Sequence, residues 1–424
     1  MKLFNRFLIA AIALLGGCLI FPAGAQNVNT PYSMYGYGIL NDHATATQKQ
    51  MGGIGIAMRS GRQVNCMNPA SYAAIDSLTF LFDMGADLSL LWSKDGNVKE
   101  HSTGGGLDYL TIQVPFSKYV GGSMGILPYS SVGYSFGNDI KHGTRSNQGS
   151  GGLNQAYLGV GGTYAGFSAG VNVYYMFGTI TNDIYANPEN SSSTLFEHIL
   201  QVRDWNLVAG LQYTQNINRY NRITIGATYS PKKSLHGNTW ATFQNIVSGE
   251  DAKPDTVGYS KIGGRYYQPN SFGVGLNFNH DRQSHFMAEV DFTYQDWKNA
   301  KYSPLLDEEG EVIFQGMDFD NRWRVSGGVE YRPALRGSYL KRITYRAGAY
   351  YTHDYLNIRG NHVKEYGITC GFGFPTAEGK TTINLGLEWK RRVASPHKLL
   401  SENYFNITLG VNFNEVWFWK RKLR

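Results

Sequence analysis

An all-β fold, a transmembrane antiparallel β-barrel of about 14 strands, is the class this sequence predicts. Three observations lead there: an export signal, no apolar run long enough for a membrane helix after it, and long stretches of strict apolar/polar alternation.

The export signal comes first. Lys2 and Arg6 precede an apolar run, FLIAAIALLGGCLIF, and Ala23-Gly24-Ala25 forms a small-x-small cleavage site, so residues 1–25 read as a secretory signal peptide. Leu15-Gly16-Gly17-Cys18 also resembles a lipoprotein box, but Leu19, Ile20 and Phe21 continue the apolar core past the cysteine. Cleavage is therefore expected before Gln26. No later stretch approaches the ~20 apolar residues of a membrane helix. Any spanning must then use strands.

Composition excludes other classes. The net charge of +7 falls to +5 without Lys2 and Arg6 (37 basic against 32 acidic residues), and no basic run suggests nucleic acid. No metal-ligand spacing or phosphate loop is present, so no cofactor is expected. Gly121-Gly122-Ser123-Met124-Gly125 and Gly166-Phe167-Ser168-Ala169-Gly170 both match G-x-S-x-G. That motif exposes its serine only on a strand-to-helix elbow, whereas these lie at turns between strands, and no enzyme is expected.

The alternation defines the wall. Phe272, Val274, Leu276 and Phe278 alternate with Ser271, Gly273, Gly275 and Asn277. Ile383 to Trp389 and Phe405 to Phe413 follow the same rule. A period of two places the two sets on opposite faces of a strand. Runs of ~10 residues match a tilted transmembrane strand, and only a closed barrel satisfies every backbone group in lipid. Strands are expected at 78–92, 105–116, 119–136, 151–165, 167–182, 199–215, 220–245, 256–280, 284–299, 320–334, 340–357, 362–375, 379–392 and 402–417. Short connections tend to alternate with longer polar ones at 93–104, 138–150, 183–198, 246–255, 300–319 and 394–401; the link after Leu356, also short, is an exception. Outer-membrane barrels have short periplasmic turns and long outer loops, so both termini are expected at the periplasmic end. Residues 78–417 would form the barrel and 418–424 a basic periplasmic tail.

The same phase points Asp83, Asp87, Glu289, Asp291, Arg324, Glu330, Arg332, Arg342, Arg346 and Glu388 inward. Buried charges need partners, so a paired lumen network is expected. Phe413 ends the last alternating strand and reads as the terminal aromatic recognised by the barrel-assembly machinery. Cys66 and Cys370 fall on unrelated faces, and no disulfide is expected between them.

Several segments, taken in order, resemble one family. QMGGIGIAMRSG (50–61) is followed by Asn68-Pro69-Ala70; GGSMGILPYSSVGYSF (121–136) contains Pro128; QPNSFGVGLNF and AEVDFTYQDW lie within 268–297; NRWRVSGGVEYRP and YRAGAYY lie within 321–351. This series is similar to the FadL-type outer-membrane transporters of long-chain fatty acids and other hydrophobic compounds. The continuation after Asn-Pro-Ala, SYAAIDSLTF, departs from the more usual glycine. The resemblance implies an N-terminal hatch or plug over 26–77. Gly52, Gly53 and Gly55 would allow close packing on the wall, and Asn68, Pro69 and Ala70 would form the bend into the first strand. It also implies a wall kink at Pro128 through which a hydrophobic small-molecule ligand leaves sideways into the outer-membrane lipids. The charged lumen suggests a second role, as a scaffold for outer-membrane protein partners in a secretion or barrel-assembly complex.

Overall fold

The computed structural model describes residues 29–140, 143–189, 192–247, 250–251, 255–376 and 381–416. Its wall is a closed antiparallel barrel of 14 strands. In chain order they are β1 Thr79–Asp95, β2 Val98–Pro115, β3 Val120–Ile140, β4 Gly143–Tyr164, β5 Phe167–Pro188, β6 Ser193–Asn216 and β7 Asn221–Ser230. There follow β8 Ser271–Asp281, β9 His285–Gln295, β10 Arg322–Arg332, β11 Thr344–Ile358, β12 Asn361–Pro375, β13 Thr382–Ser395 and β14 Ser401–Val416. Pairing of β1 with β14, from Thr79↔Val416 to Lys94↔Ser401, closes the ring.

The outward face is a membrane band. Leu211, Ile225, Val274, Leu276, Val290 and Val325 are exposed on it. At one edge Tyr229, Phe272, Tyr294 and Trp323 are successive cross-strand partners. At the other edge, near the short turns, Phe116, Tyr119, Tyr164, Phe167 and Tyr220 are exposed. Two aromatic girdles flanking an apolar belt are the signature of a barrel set in lipid.

The far end differs from the sequence expectation. The polar stretches 93–104, 138–150 and 183–198 are largely strand: β1 and β2 stay paired to Asp95↔Val98, and β3 and β4 to Ile140↔Gly143. Above the membrane both faces of a strand meet water, so the alternation vanishes while the backbone ladder continues. The expected strands 220–245 and 256–280 each break. β7 pairs directly with β8, and the chain between them builds an arm in which Gly237–Val247 pairs with β6 and with Asp255–Lys261. Within 300–319, Leu305–Leu306 pairs with Val312–Phe314.

Residues 29–77 thread the lumen from the long-strand end to the short-turn end. The Thr30 N–H donates to Gly133 O at 2.8 Å, and Ile39–Leu40 pairs with Ser131 and Ser130 of β3. A one-turn helix, Ala46–Lys49, starts at a Thr45/Gln48 capping box. A 3-10 turn, Pro69–Ala74, leads toward β1. The first described residues therefore lie at the end opposite Val416. This segment, the expected hatch, runs along the lumen before the chain enters the wall.

Phe413 is outward on β14, with its ring 5.9 Å from Phe82. The expected tail, residues 418–424, lies outside the described residues, as does residue 417. Phe413→Ala is expected to impair insertion more than deletion of residues 417–424, read as heat-modifiable migration on gels. Normal folding of the point variant with failure of the deletion would reverse that order.

Candidate functional site: the hatch, its wall contacts and a lateral gap

The hatch is held by its backbone. Asp291 of β9 accepts from the Gly55 and Ile56 N–H groups at 2.7 and 3.0 Å. Glu289, two residues away on the same face, accepts from Ala57 and Met58 at 2.9 and 3.1 Å. Two buried carboxylates thus take four consecutive hatch N–H groups, and Asn277 donates to the free oxygen of Glu289 at 2.6 Å. Gly52 and Gly53 adopt φ of +73° and +78°, a region that favours glycine. There the Gly52 carbonyl accepts from Arg324 at 2.9 Å and its N–H donates to Thr369 at 2.9 Å. The wall is cut back to match: a Cβ on Gly348 would lie 2.2 Å from the Met51 carbonyl carbon.

Asn68 is extended (φ −134°, ψ 110°), as the residue before a proline must tend to be. Its side chain accepts from the Ala70 N–H at 3.0 Å and donates to Ile56 O at 2.7 Å. The Asn-Pro-Ala bend is thereby tied back to the segment that Glu289 and Asp291 hold. Pro69 rests on β4 and β5, where a Cβ on Gly161 would lie 2.3 Å from its carbonyl oxygen. Cys66 is buried beside it, its sulfur 3.2 Å from the Tyr157 hydroxyl, and burial pushes its thiol up to about 12. Cys370 is exposed on the outer face of β12, and both cysteines are free.

Ion pairs line the rest of the lumen. Arg346 meets Glu330 at 2.6 Å and bonds Gln50 of the hatch at 2.9 Å. Asp42 of the hatch lies 2.6 Å from Arg324 and 3.1 Å from Arg322. Burial alone would raise the Asp42 carboxyl, but these guanidinium groups hold it well below the usual range. Lys49 pairs with Asp108 at 2.6 Å. Glu388 accepts from Tyr350 and Asn406, each at 2.6 Å, and Asp83 accepts from Tyr109 at 2.7 Å. Arg332 is half-buried at the short-turn end of β10. Asp87 lines the cavity described below. Arg342 does not join this network. β11 begins at Thr344, so Arg342 falls in the helical turn Tyr339–Arg342, its guanidinium over the Tyr339 ring.

The sequence reading missed Glu365, Arg392 and Glu402, in which Arg392 lies 2.6 Å from Glu365 and 3.4 Å from Glu402. Arg392 is in phase with Glu388, and Arg322 with Arg324, so carrying the alternation further along β13 and β10 finds both. Asp42 and Lys49 have no such signal, because the hatch has no period.

The wall is interrupted beside Pro128. β2 and β3 pair only from Leu110↔Ile126 to Pro115↔Gly121. Pro128 has no N–H to give a ladder, and the β3–β4 register shifts between Pro128 and Ser130. Past this point the edge of β3 takes the hatch instead of β2: the Asn41 N–H donates to Tyr129 O at 2.9 Å, beside the Ile39–Leu40 pairing. The Asn29 N–H, 2.9 Å from Ser102 Oγ, and its side-chain oxygen, 2.6 Å from the Ser135 N–H, bridge β2 to β3 across the gap. Behind it lies a cavity of about 580 Å³ bounded by Leu107, Asp108, Pro128, Ser130, Lys49, Asp87, Arg324, Lys390 and Arg392.

Aromatic side chains cluster toward the long-strand end. The Tyr37 ring sits 5.7 Å from Trp297 and 5.3 Å from Tyr302, and Tyr355 accepts from the Tyr37 N–H at 3.1 Å. Neither G-x-S-x-G serine lies on a strand-to-helix elbow. Ser123 is buried in β3, donating to Ile112 O at 2.8 Å, and Ser168 begins β5, bonded to Arg59.

A closed 14-strand antiparallel barrel with two aromatic girdles and an N-terminal segment in its lumen is the fold also seen in FadL-type barrels. The BamG family model matches residues 4–424, and the chain belongs to that family. No curated protein matches. Among solved structures, the toluene transporter TodX of P. putida is similar with a TM-score of 0.61 and 16% identity, covering 88% of this chain and 98% of that one. The Ralstonia pickettii toluene transporter TbuX gives 0.59 and 14%, covering 88% and 98%. A Pseudomonas aeruginosa FadL homologue gives 0.60 and 10%, covering 89% and 99%. At these identities the likeness is one of fold.

Proposed function

We propose that this chain moves fatty-acid-like amphiphiles across the outer membrane, with its short turns in the periplasm, by way of the gap between β2 and β3. One observation supports the reading: the β2–β3 wall ladder stops short of Pro128, a residue that also lines the cavity inside the barrel. The cavity is lined by charge, so a wholly apolar molecule would desolvate paired ions there. An amphiphile fits better, its polar head in the cavity and its tail in the bilayer. The toluene transporters and the FadL homologue with this fold lend support by analogy alone.

Pro128→Ala restores a backbone donor at the kink. The expected result is lower uptake of labelled fatty acid at equal surface level, with assembly unchanged. Undiminished uptake would remove the gate role.

The ion-paired, hatch-filled lumen favours a second reading, a barrel that serves as scaffold for outer-membrane protein partners in secretion or barrel assembly. Membership of the BamG family is compatible with it. Extraction in gentle detergent separates the two: a stoichiometric complex supports the scaffold, and recovery of the chain alone supports transport.

A further inference from the structure

We propose that the short-turn end of the barrel is a binding surface for anionic phospholipid headgroups in the adjoining leaflet. Lys118, Arg219, Arg282, Arg336 and Lys341 are all exposed at this end. The acidic side chains described there are Asp76, Asp281, Glu330 and Glu415. The first three sit beside cations: Asp76 is 3.9 Å from Arg62, Asp281 2.8 Å from Arg222 and Glu330 2.6 Å from Arg346. The exposed cations therefore leave a positive rim.

Their placement selects the occupant. Lys118 lies over the Tyr119 ring at 5.6 Å, Arg282 over Tyr220 at 5.3 Å and Arg342 over Tyr339 at 5.6 Å. Tyr119 and Tyr220 belong to the aromatic girdle, which sits at headgroup level. Leu335 and Leu340, 53% and 69% exposed, flank Arg336 and Lys341 in the β10–β11 connection. Apolar side chains beside cations at the edge of a membrane band meet the lipid surface first, and phosphate is the group that the cations would bind. The assignment rests on the membrane band and not on the transport reading, so the two fail separately.

The test uses the full chain, tail included, in nanodiscs of phosphatidylcholine with a minor share of phosphatidylglycerol. Lipid retained after detergent extraction is quantified by mass spectrometry. Enrichment of the anionic lipid on the order of tenfold is expected, falling as salt is raised. Replacing Lys118, Arg219, Arg282, Arg336 and Lys341 together by Gln should abolish it. Arg336→Gln with Lys341→Gln, confined to the connection outside the wall, should lower it with the barrel intact. Equal enrichment in these variants overturns the proposal. So does equal competition by inorganic phosphate alone, or retention of an acidic polypeptide with no enrichment of lipid.

Discussion

Replacing Glu289 and Asp291 together by Ala releases the hatch. The pair accepts four consecutive backbone N–H groups of the hatch, and each buried N–H left without a partner costs about 1–3 kcal/mol. The loss falls on 55–58, the stretch to which Asn68 is also tied. Cys66 is a built-in reporter, since it is fully buried in the folded hatch. The thiolate is the reactive form, and a thiol held at about 12 is almost wholly protonated at neutral pH. In a Cys370→Ser background, labelling of Cys66 by a hydrophilic maleimide should be very slow in the parent and rapid in the double variant. Glu289→Gln with Asp291→Asn keeps one carbonyl acceptor at each position and should fall between. Slow labelling in the alanine variant would mean that other contacts hold the hatch.

Deleting residues 26–77 should leave a barrel that assembles and conducts. The ring closes through β1 and β14, and β2 and β3 keep their own ladder from Leu110 to Pro115, the hatch covering only the rest of the β3 edge; the lumen is occupied by the hatch from Thr30 to the Asn-Pro-Ala bend. The deletion also strips Arg324, Arg346, Glu289 and Asp291 of hatch partners, and water entering the lumen can solvate them. Planar-bilayer recordings should pass from a closed baseline to stable open steps. Conductance no greater than that of the intact protein would show that the segment does not occlude the lumen.

The strands of the membrane band were legible because each has one face in lipid and one toward a polar interior. Phe272 to Phe278 on β8 shows this directly. Where that asymmetry ends, legibility ends with it: the upper halves of β3 to β6 are strands with water on both faces and read as loops. The phase set by Arg346 extrapolates back through Arg342 to a wall position, but the strand begins only at Thr344. The hatch was legible only through its resemblance to a family. Its capping box and glycines speak of turns, and nothing in the local sequence says that Gly55 to Met58 will meet Glu289 and Asp291, more than 200 positions away in the chain. Likewise Pro128 marked a break in a strand, whereas the hatch residues that take the place of β2 beside β3 could be found only in three dimensions.

The most direct measurement closes the gap between β2 and β3 reversibly. Asn29 touches Ser102 across it, so Asn29→Cys with Ser102→Cys, in a Cys370→Ser background, can tie the hatch to β2 by a disulfide. Uptake of labelled fatty acid is followed in the oxidised and reduced states of the same cells. Lateral passage predicts uptake that is blocked on oxidation and returns on reduction. Equal uptake in the two states, with the cross-link verified by mass spectrometry, would contradict it.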